Sequence, residues 1–142
     1  MHLVFKGNSG AGVQNFGRIN AIGGDVFLLG KTVENAGTIT ASGTVGLAAG
    51  EEVLITATPD ANGERVFVTP VGSGGVSNGV TNSGSIEGSA VELKAHGNLY
   101  ALAINNSGSI RATGASRSNG GVFLRAPGGQ VDNTGSITAT LP

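Results

Sequence analysis

Over short runs of this chain, apolar residues fall at every second position, with polar or small residues between them. In VQNFGRINA, from Val13 to Ala21, the residues Val13, Ile19 and Ala21 share one face, and Gln14, Arg18 and Asn20 share the other. A period of two belongs to half-buried β-strands and not to amphipathic helices. The same frame returns as VENAGTITA from Val33, VTNSGSIEG from Val80, INNSGSIRA from Ile104 and VDNTGSITA from Val131. Every copy keeps its Asn, its Gly and its Ile. A second alternating frame, V-x-L-x-[AG], follows each copy but the last: VFLLG from Val26, VGLAA from Val45, VELKA from Val91 and VFLRA from Val122.

The first two copies begin 20 residues apart. Short strands recurring at about 20 residues predict a parallel β-solenoid in which each coil stacks on the next. The later intervals of 47, 24 and 27 residues read as two coils sharing one insertion, then coils with short insertions. Stacking places Val13, Val33, Val80, Ile104 and Val131 in one interior column. Ile19, Ile39, Ile86, Ile110 and Ile137 form a second, and Leu28, Leu47, Leu93 and Leu124 a third. The motif Asn falls among the inward positions, where an unpaired amide costs a few kcal/mol. Asn15, Asn35, Asn82, Asn106 and Asn133 at one register therefore predict a ladder of stacked amides. Two residues on, Gly17, Gly37, Gly84, Gly108 and Gly135 supply either tight bends or a backbone approach that a Cβ forbids.

The pattern lapses after the second coil. Two alternating runs, Val53 to Thr58 and Glu64 to Thr69, flank PDANG, and Asn62-Gly63 is a hairpin-turn signal. An extra hairpin leaving the coil is expected over about 53–75, and a polar, glycine-rich loop insertion over about 113–121. The chain thus reads as a single β-helical segment over 1–142, with regular coils at 13–52 and 80–142. It starts and stops in mid-pattern, which reads as a piece of a longer protein or a protomer that stacks end to end.

Composition narrows the function. Gly is 26 of 142 residues, charged residues are 12%, aromatics 4%, and Cys and Trp are absent. A net charge of -1, with Lys and Arg scattered singly, argues against a nucleic-acid partner. No disulfide or thiolate metal site can be built, and no run reaches the roughly 18 apolar residues of a membrane span. The opening MHLVFKGNSG lacks the features of a signal peptide.

Candidates for chemistry are thin. Glu51-Glu52 are expected at a corner and Glu87 and Glu92 beside a turn, while Asp25, Glu34, Asp60, Glu64 and Asp132 stand alone in sequence. Adjacent coils can bring Glu34 near Arg18 or Glu87 near Arg111, as solvated pairs worth under about 1 kcal/mol. His96 reads as a corner residue and Asp25 as a turn residue. GSGG, from Gly72, lacks the Lys-Ser/Thr of a phosphate loop and reads as linker. No catalytic residue, cofactor or metal ligand is expected. Outward positions rich in Thr, Ser, Ala and Asn suit extended contact with a glycan or protein, and Asp60, Asn62, Arg65 and Phe67 of the hairpin are candidate contacts.

The paired frames, with the approach F-x-G-x-S-x-A from Phe5, resemble the repeats of filamentous haemagglutinin-like exoproteins of bacterial two-partner secretion, over nearly the whole chain. The N-P-N-G and N-P-N-L motifs of that secretion domain do not occur here. The resemblance implies a right-handed parallel β-helix with an extra-helical hairpin. It also implies a secreted or cell-surface location, an outer-membrane secretion barrel as partner, and use as an adhesin. The alternatives are a filament subunit that associates end to end, or a β-helical carbohydrate-active enzyme fragment.

Overall fold

The computed structural model describes residues 2–7, 10–70, 76–114 and 121–139. The sequence-predicted loop at 113–121, the linker at 72–75 and the last three residues lie wholly or mostly outside these. Every element among the described residues is a strand. After β1 (His2–Lys6) come β2 (Val13–Asn15), β3 (Arg18–Ala21) and β4 (Val26–Gly30), then β5 (Val33–Asn35), β6 (Thr38–Ala41) and β7 (Thr44–Ala49). β8 (Glu52–Thr56) and β9 (Val66–Val68) interrupt the rhythm. It resumes with β10 (Val76–Asn82), β11 (Ser85–Gly88), β12 (Ala90–Lys94), β13 (Tyr100–Asn106), β14 (Ser109–Ala112) and β15 (Val122–Arg125), and ends with β16 (Val131–Asn133) and β17 (Ser136–Ala139).

All of these strands except β1, β8 and β9 form three parallel sheets, each visited once per round of the chain. The Asn sheet has the order β16-β13-β10-β5-β2, the Ile sheet β17-β14-β11-β6-β3 and the Leu sheet β15-β12-β7-β4. Each round adds one strand to each sheet, so like residues stack in register. Ile39 pairs with Ile19 and Ile86, and Ile86 with Ile110. Leu47 pairs with Leu28 and Leu93, and Val33 with Val13 and Val80. These columns meet in one core, in which Ile39, Val45, Leu47, Val80, Ile86, Leu93 and Ile104 are fully buried. No single round can bury these side chains, so stability comes from stacking.

The amides line up as well. Asn15 Nδ2 donates to Asn35 Oδ1 at 2.9 Å, Asn35 to Asn82 at 2.9 Å, Asn82 to Asn106 at 2.8 Å and Asn106 to Asn133 at 2.8 Å. All four bonds run the same way, which satisfies the fully buried amides of Asn35, Asn82 and Asn106. The glycine two residues on is explained by close approach and not by a bend. A Cβ on Gly37, Gly84 or Gly135 would lie 2.0 Å from the carbonyl oxygen of the equivalent glycine one round earlier, and on Gly108 2.1 Å. None of the four has a positive φ.

Candidate functional site: the covered flank

The insertion forms the hairpin expected from PDANG, with β8 and β9 antiparallel and Val53 opposite Val68. Its strands are shorter than the alternating runs. The sequence left its surroundings unread. β1 pairs antiparallel with the other edge of β8, Leu3 opposite Ile55, so the hairpin becomes a three-stranded flank sheet, β1-β8-β9. This sheet lies on the outer face of the Leu sheet. There Ala48, Val53, Ile55 and Val66 form a second apolar cluster, with Phe27, Leu29 and Val68 packed on it. β7 is consequently buried at all six positions. Outside, a Cβ on Gly46 would lie 2.9 Å from Val66 Cγ2.

Charged residues are trapped under this cover. Glu92 and Lys94 point outward from β12 but are 0% and 4% exposed. The Glu92 carboxylate accepts hydrogen bonds from the backbone N–H of Arg65, at 2.9 Å to Oε2, and of Val66, at 3.0 Å to Oε1. Lys94 Nζ lies 3.3 Å from Glu92 Oε1 and also donates to Glu64 Oε1. Glu64, itself buried, holds Arg125 by two bonds, Nε to Oε1 at 3.0 Å and Nη2 to Oε2 at 2.9 Å. The result is a chain of alternating charge, Glu92–Lys94–Glu64–Arg125, that ties hairpin to sheet. Removing Glu64 or Glu92 leaves the buried Lys94 ammonium one carboxylate short, with about 3–5 kcal/mol as the ceiling for such a loss, whereas Arg125, its side chain 52% exposed, is screened by water.

The two carboxyls respond in opposite directions. Burial acts most strongly on Glu64 and pushes it up. The hydrogen bonds and charges of Arg125 and Lys94 together outweigh burial and hold Glu64 below the ordinary 4.5. For Glu92 burial prevails over the two backbone donors and Lys94, and the group titrates above 4.5.

The sequence-predicted contact residues divide. Arg65 is occupied: Nε donates to Thr56 O at 2.9 Å, Nη1 to Asp25 Oδ2 at 3.0 Å, and the guanidinium sits 5.3 Å from the Phe27 ring centre. Asp25, placed in a turn by sequence, also accepts from Thr44 N at 2.8 Å, pinning two rounds and the hairpin together. Phe67 is half-buried, with Lys94 Nζ 5.4 Å from its ring centre. Asp60 and Asn62 are exposed at the hairpin tip. Asp60 Oδ1 accepts from Asn62 N and Glu64 N, both at 2.9 Å. The Glu64 N–H bond leads the influences that keep the Asp60 carboxyl below its ordinary value.

Elsewhere strict register decides the neighbours. Glu34 stands opposite Gln14, which donates to it at 3.1 Å, whereas Arg18 stands opposite Thr38, so the pairing of Glu34 with Arg18 does not form. Glu87 and Arg111 do meet across the Ile sheet, at 3.8 Å and largely exposed. The buried network was missed because VELKA reads as a half-exposed strand. The available signal was in the other copies, whose outward positions Phe27, Leu29, Ala48 and Phe123 are apolar and imply a cover.

Clefts open along the flank, and two of them border the hairpin tip. One, of about 330 Å³, includes Asp25, Thr44, Pro59 and Arg65. The other, of about 230 Å³, lies over the ion network and includes Asp60, Asn62, Phe67, His96, Arg125 and Pro127. Among the described residues no group of three His, Asp or Glu side chains is placed to hold a metal ion. No protein-family model, curated protein or solved structure matches this chain.

Proposed function

We propose that this chain is a right-handed β-solenoid segment of a secreted bacterial surface exoprotein of the filamentous haemagglutinin-like kind, and that its function is structural and adhesive. The observation that carries this reading is the in-register repetition of three parallel sheets around an unbroken amide ladder. Such a stack gives a stiff rod from few kinds of residue, and right-handed connections are the preferred ones between parallel strands. The repeat and its approach sequence support export through an outer-membrane barrel. The Glu64 and Glu92 carboxylates are committed to Lys94, Arg125 and backbone donors, which favours a binding role over catalysis. Beads coated with the protein test the adhesive role. Saturable attachment to host or bacterial cells, competed by soluble protein, is the expected result, and absence of competition overturns it.

A second reading, head-to-tail association, is favoured by the polarity of the ladder. Among the described residues Asn15 Oδ1 accepts only the Gly17 N–H, at 3.2 Å, and no amide rung, and Gly17 has nothing within 4 Å of the Cβ position that is crowded in every later round. A coil docking there would find both an acceptor and room for its carbonyl. Light scattering across a concentration series separates the readings, because rods growing by one chain length support association and a constant monomer rejects it.

A further inference from the structure

The cleft over the ion network differs from its neighbour in what its polar groups are doing. In the larger cleft both carboxylate oxygens of Asp25 are engaged, Oδ1 by Thr44 N and Oδ2 by Arg65 Nη1, and Arg65 donates further to Thr44 Oγ1 and Thr56 O. In the smaller one the side chains that line the mouth keep unused bonds. Asp60 uses one carboxylate oxygen, on Asn62 N and Glu64 N, and Oδ2 carries no hydrogen bond among the described residues. Arg125 is anchored through Nε and Nη2, which leaves Nη1 unused. The Asn62 amide and the His96 ring make no side-chain hydrogen bond among the described residues. Phe67 and Pro127 add apolar surface to the same 230 Å³ space.

These groups are held in place from beneath. Glu64 fixes the Arg125 guanidinium by two bonds, Lys94 fixes Glu64, and Glu92 neutralises Lys94. A buried ion chain is a costly way to attach a hairpin that already has an apolar interface, since well-packed apolar residues do that at least as well. Its added effect is to present a rigid acceptor and rigid donors at the cleft mouth, the preorganisation that small polar ligands require.

We propose that this cleft binds a neutral saccharide through a vicinal pair of hydroxyls. Each hydroxyl both donates and accepts. One donates to Asp60 and accepts from Asn62, the other accepts from Arg125 Nη1, and the C–H face of the ring rests on Phe67 and Pro127. Asp60, an anion at the mouth, and Arg125, already neutralised by Glu64, together disfavour a negatively charged sugar. The cleft accommodates about one sugar ring, so affinity for a single unit is in the millimolar range and is raised by repetition along a glycan.

This inference rests on the adhesive reading, and its test separates the two. Labelled protein is titrated by NMR with methyl α-mannopyranoside and methyl β-galactopyranoside as neutral probes and N-acetylneuraminic acid as an acidic one. At least one neutral probe is expected to shift amides of residues 60–64, 94–97 and 124–126 saturably. Asn62→Ala, at an exposed side chain with no hydrogen bond of its own among the described residues, is expected to weaken that probe about fivefold or more with little change in the melting temperature. Asp60→Asn, which keeps the turn acceptor Oδ1, weakens it as well. Response to the acidic probe alone, shifts confined to another surface, or unchanged binding in both variants overturns the site. Beads that adhere while no probe shifts the cleft leave the adhesive reading standing and overturn this one. A saturable neutral-sugar response with non-adhering beads does the reverse.

Discussion

The Ile sheet and the Leu sheet are built from the same alternating strands in the same rounds, yet the outer face of one meets solvent and the other is covered by the flank sheet, so that its two middle strands are buried on both sides. β6 alternates between half-buried and buried, whereas its successor β7 is buried throughout. Outward Glu87 and Arg111 on the Ile sheet stand 3.8 Å apart with side chains 43% and 60% exposed. Outward Glu92 and Lys94 on the Leu sheet are 3.3 Å apart with side chains 0% and 6% exposed. The difference teaches that the worth of a charge on a repeat surface is set by what lies above it. In water such a pair contributes about 0–1 kcal/mol, and under cover breaking it costs several times that.

The sharpest way to break the comparison is to put one charge at matched outward positions. Ala48→Asp, under the flank sheet, is expected to unfold the protein or release the hairpin, because an unpaired carboxylate enters an apolar cluster. Thr38→Asp, outward on the Ile sheet, is expected to change stability by less than about 0.5 kcal/mol. Denaturant unfolding of both variants checks this, and equal effects remove the distinction between the sheets.

Next in size is Glu64→Gln, with an expected loss of about 3 kcal/mol at neutral pH as Lys94 and Arg125 lose their shared anion. Its pH dependence carries a sign. The folded pKa of Glu64 lies below 4.5, so its contribution is complete above 4.5 and is lost as pH falls through the lowered value. Glu92, raised above 4.5, acts oppositely: the folded state holds that proton more tightly, and stability falls as pH rises from 4.5 through the raised value. Glu64→Gln therefore flattens the acid loss of stability and Glu92→Gln steepens it, as unfolding midpoints measured from neutral to acid pH would register.

A smaller effect tests the stack that both sheets share. Gly84→Ala places a methyl group 2.0 Å from the Gly37 carbonyl and is expected to cost about 2 kcal/mol, as overpacking does. Gly17→Ala, with open space ahead of it, should be nearly silent. Smallest of all is Glu87→Ala, expected within about 0.5 kcal/mol by the same unfolding assay. A loss as large as that of Glu64→Gln would mean that exposure does not govern these pairs.

The core was legible because a stacked repeat turns a local pattern into a long-range one. Once Val33, Asn35, Gly37 and Ile39 are seen to recur, register alone decides which residues touch, and the Asn rungs and the glycine contacts follow. The hairpin was legible from Asn62-Gly63 and its flanking alternation. The candidate site was read less well. Of the four residues read as candidate contacts, Asp60, Asn62 and Phe67 line the smaller cleft, Arg65 is occupied by Asp25 and Thr56, and the Arg125 and His96 that complete the cleft were not singled out together.

What the amino-acid sequence determined by itself is the stacking: period, strand faces, the amide ladder and the places where only glycine fits. Each depends on residues at equivalent positions of successive rounds, and equivalence is written in the repeat. What only the tertiary structure decided is the flank. The pairing of β1 with β8, the burial of Glu92 and Lys94 and the meeting of Glu64 with Arg125 join non-equivalent positions. No periodicity relates them, so their neighbours are set by how the hairpin folds back and by the apolar surface it covers.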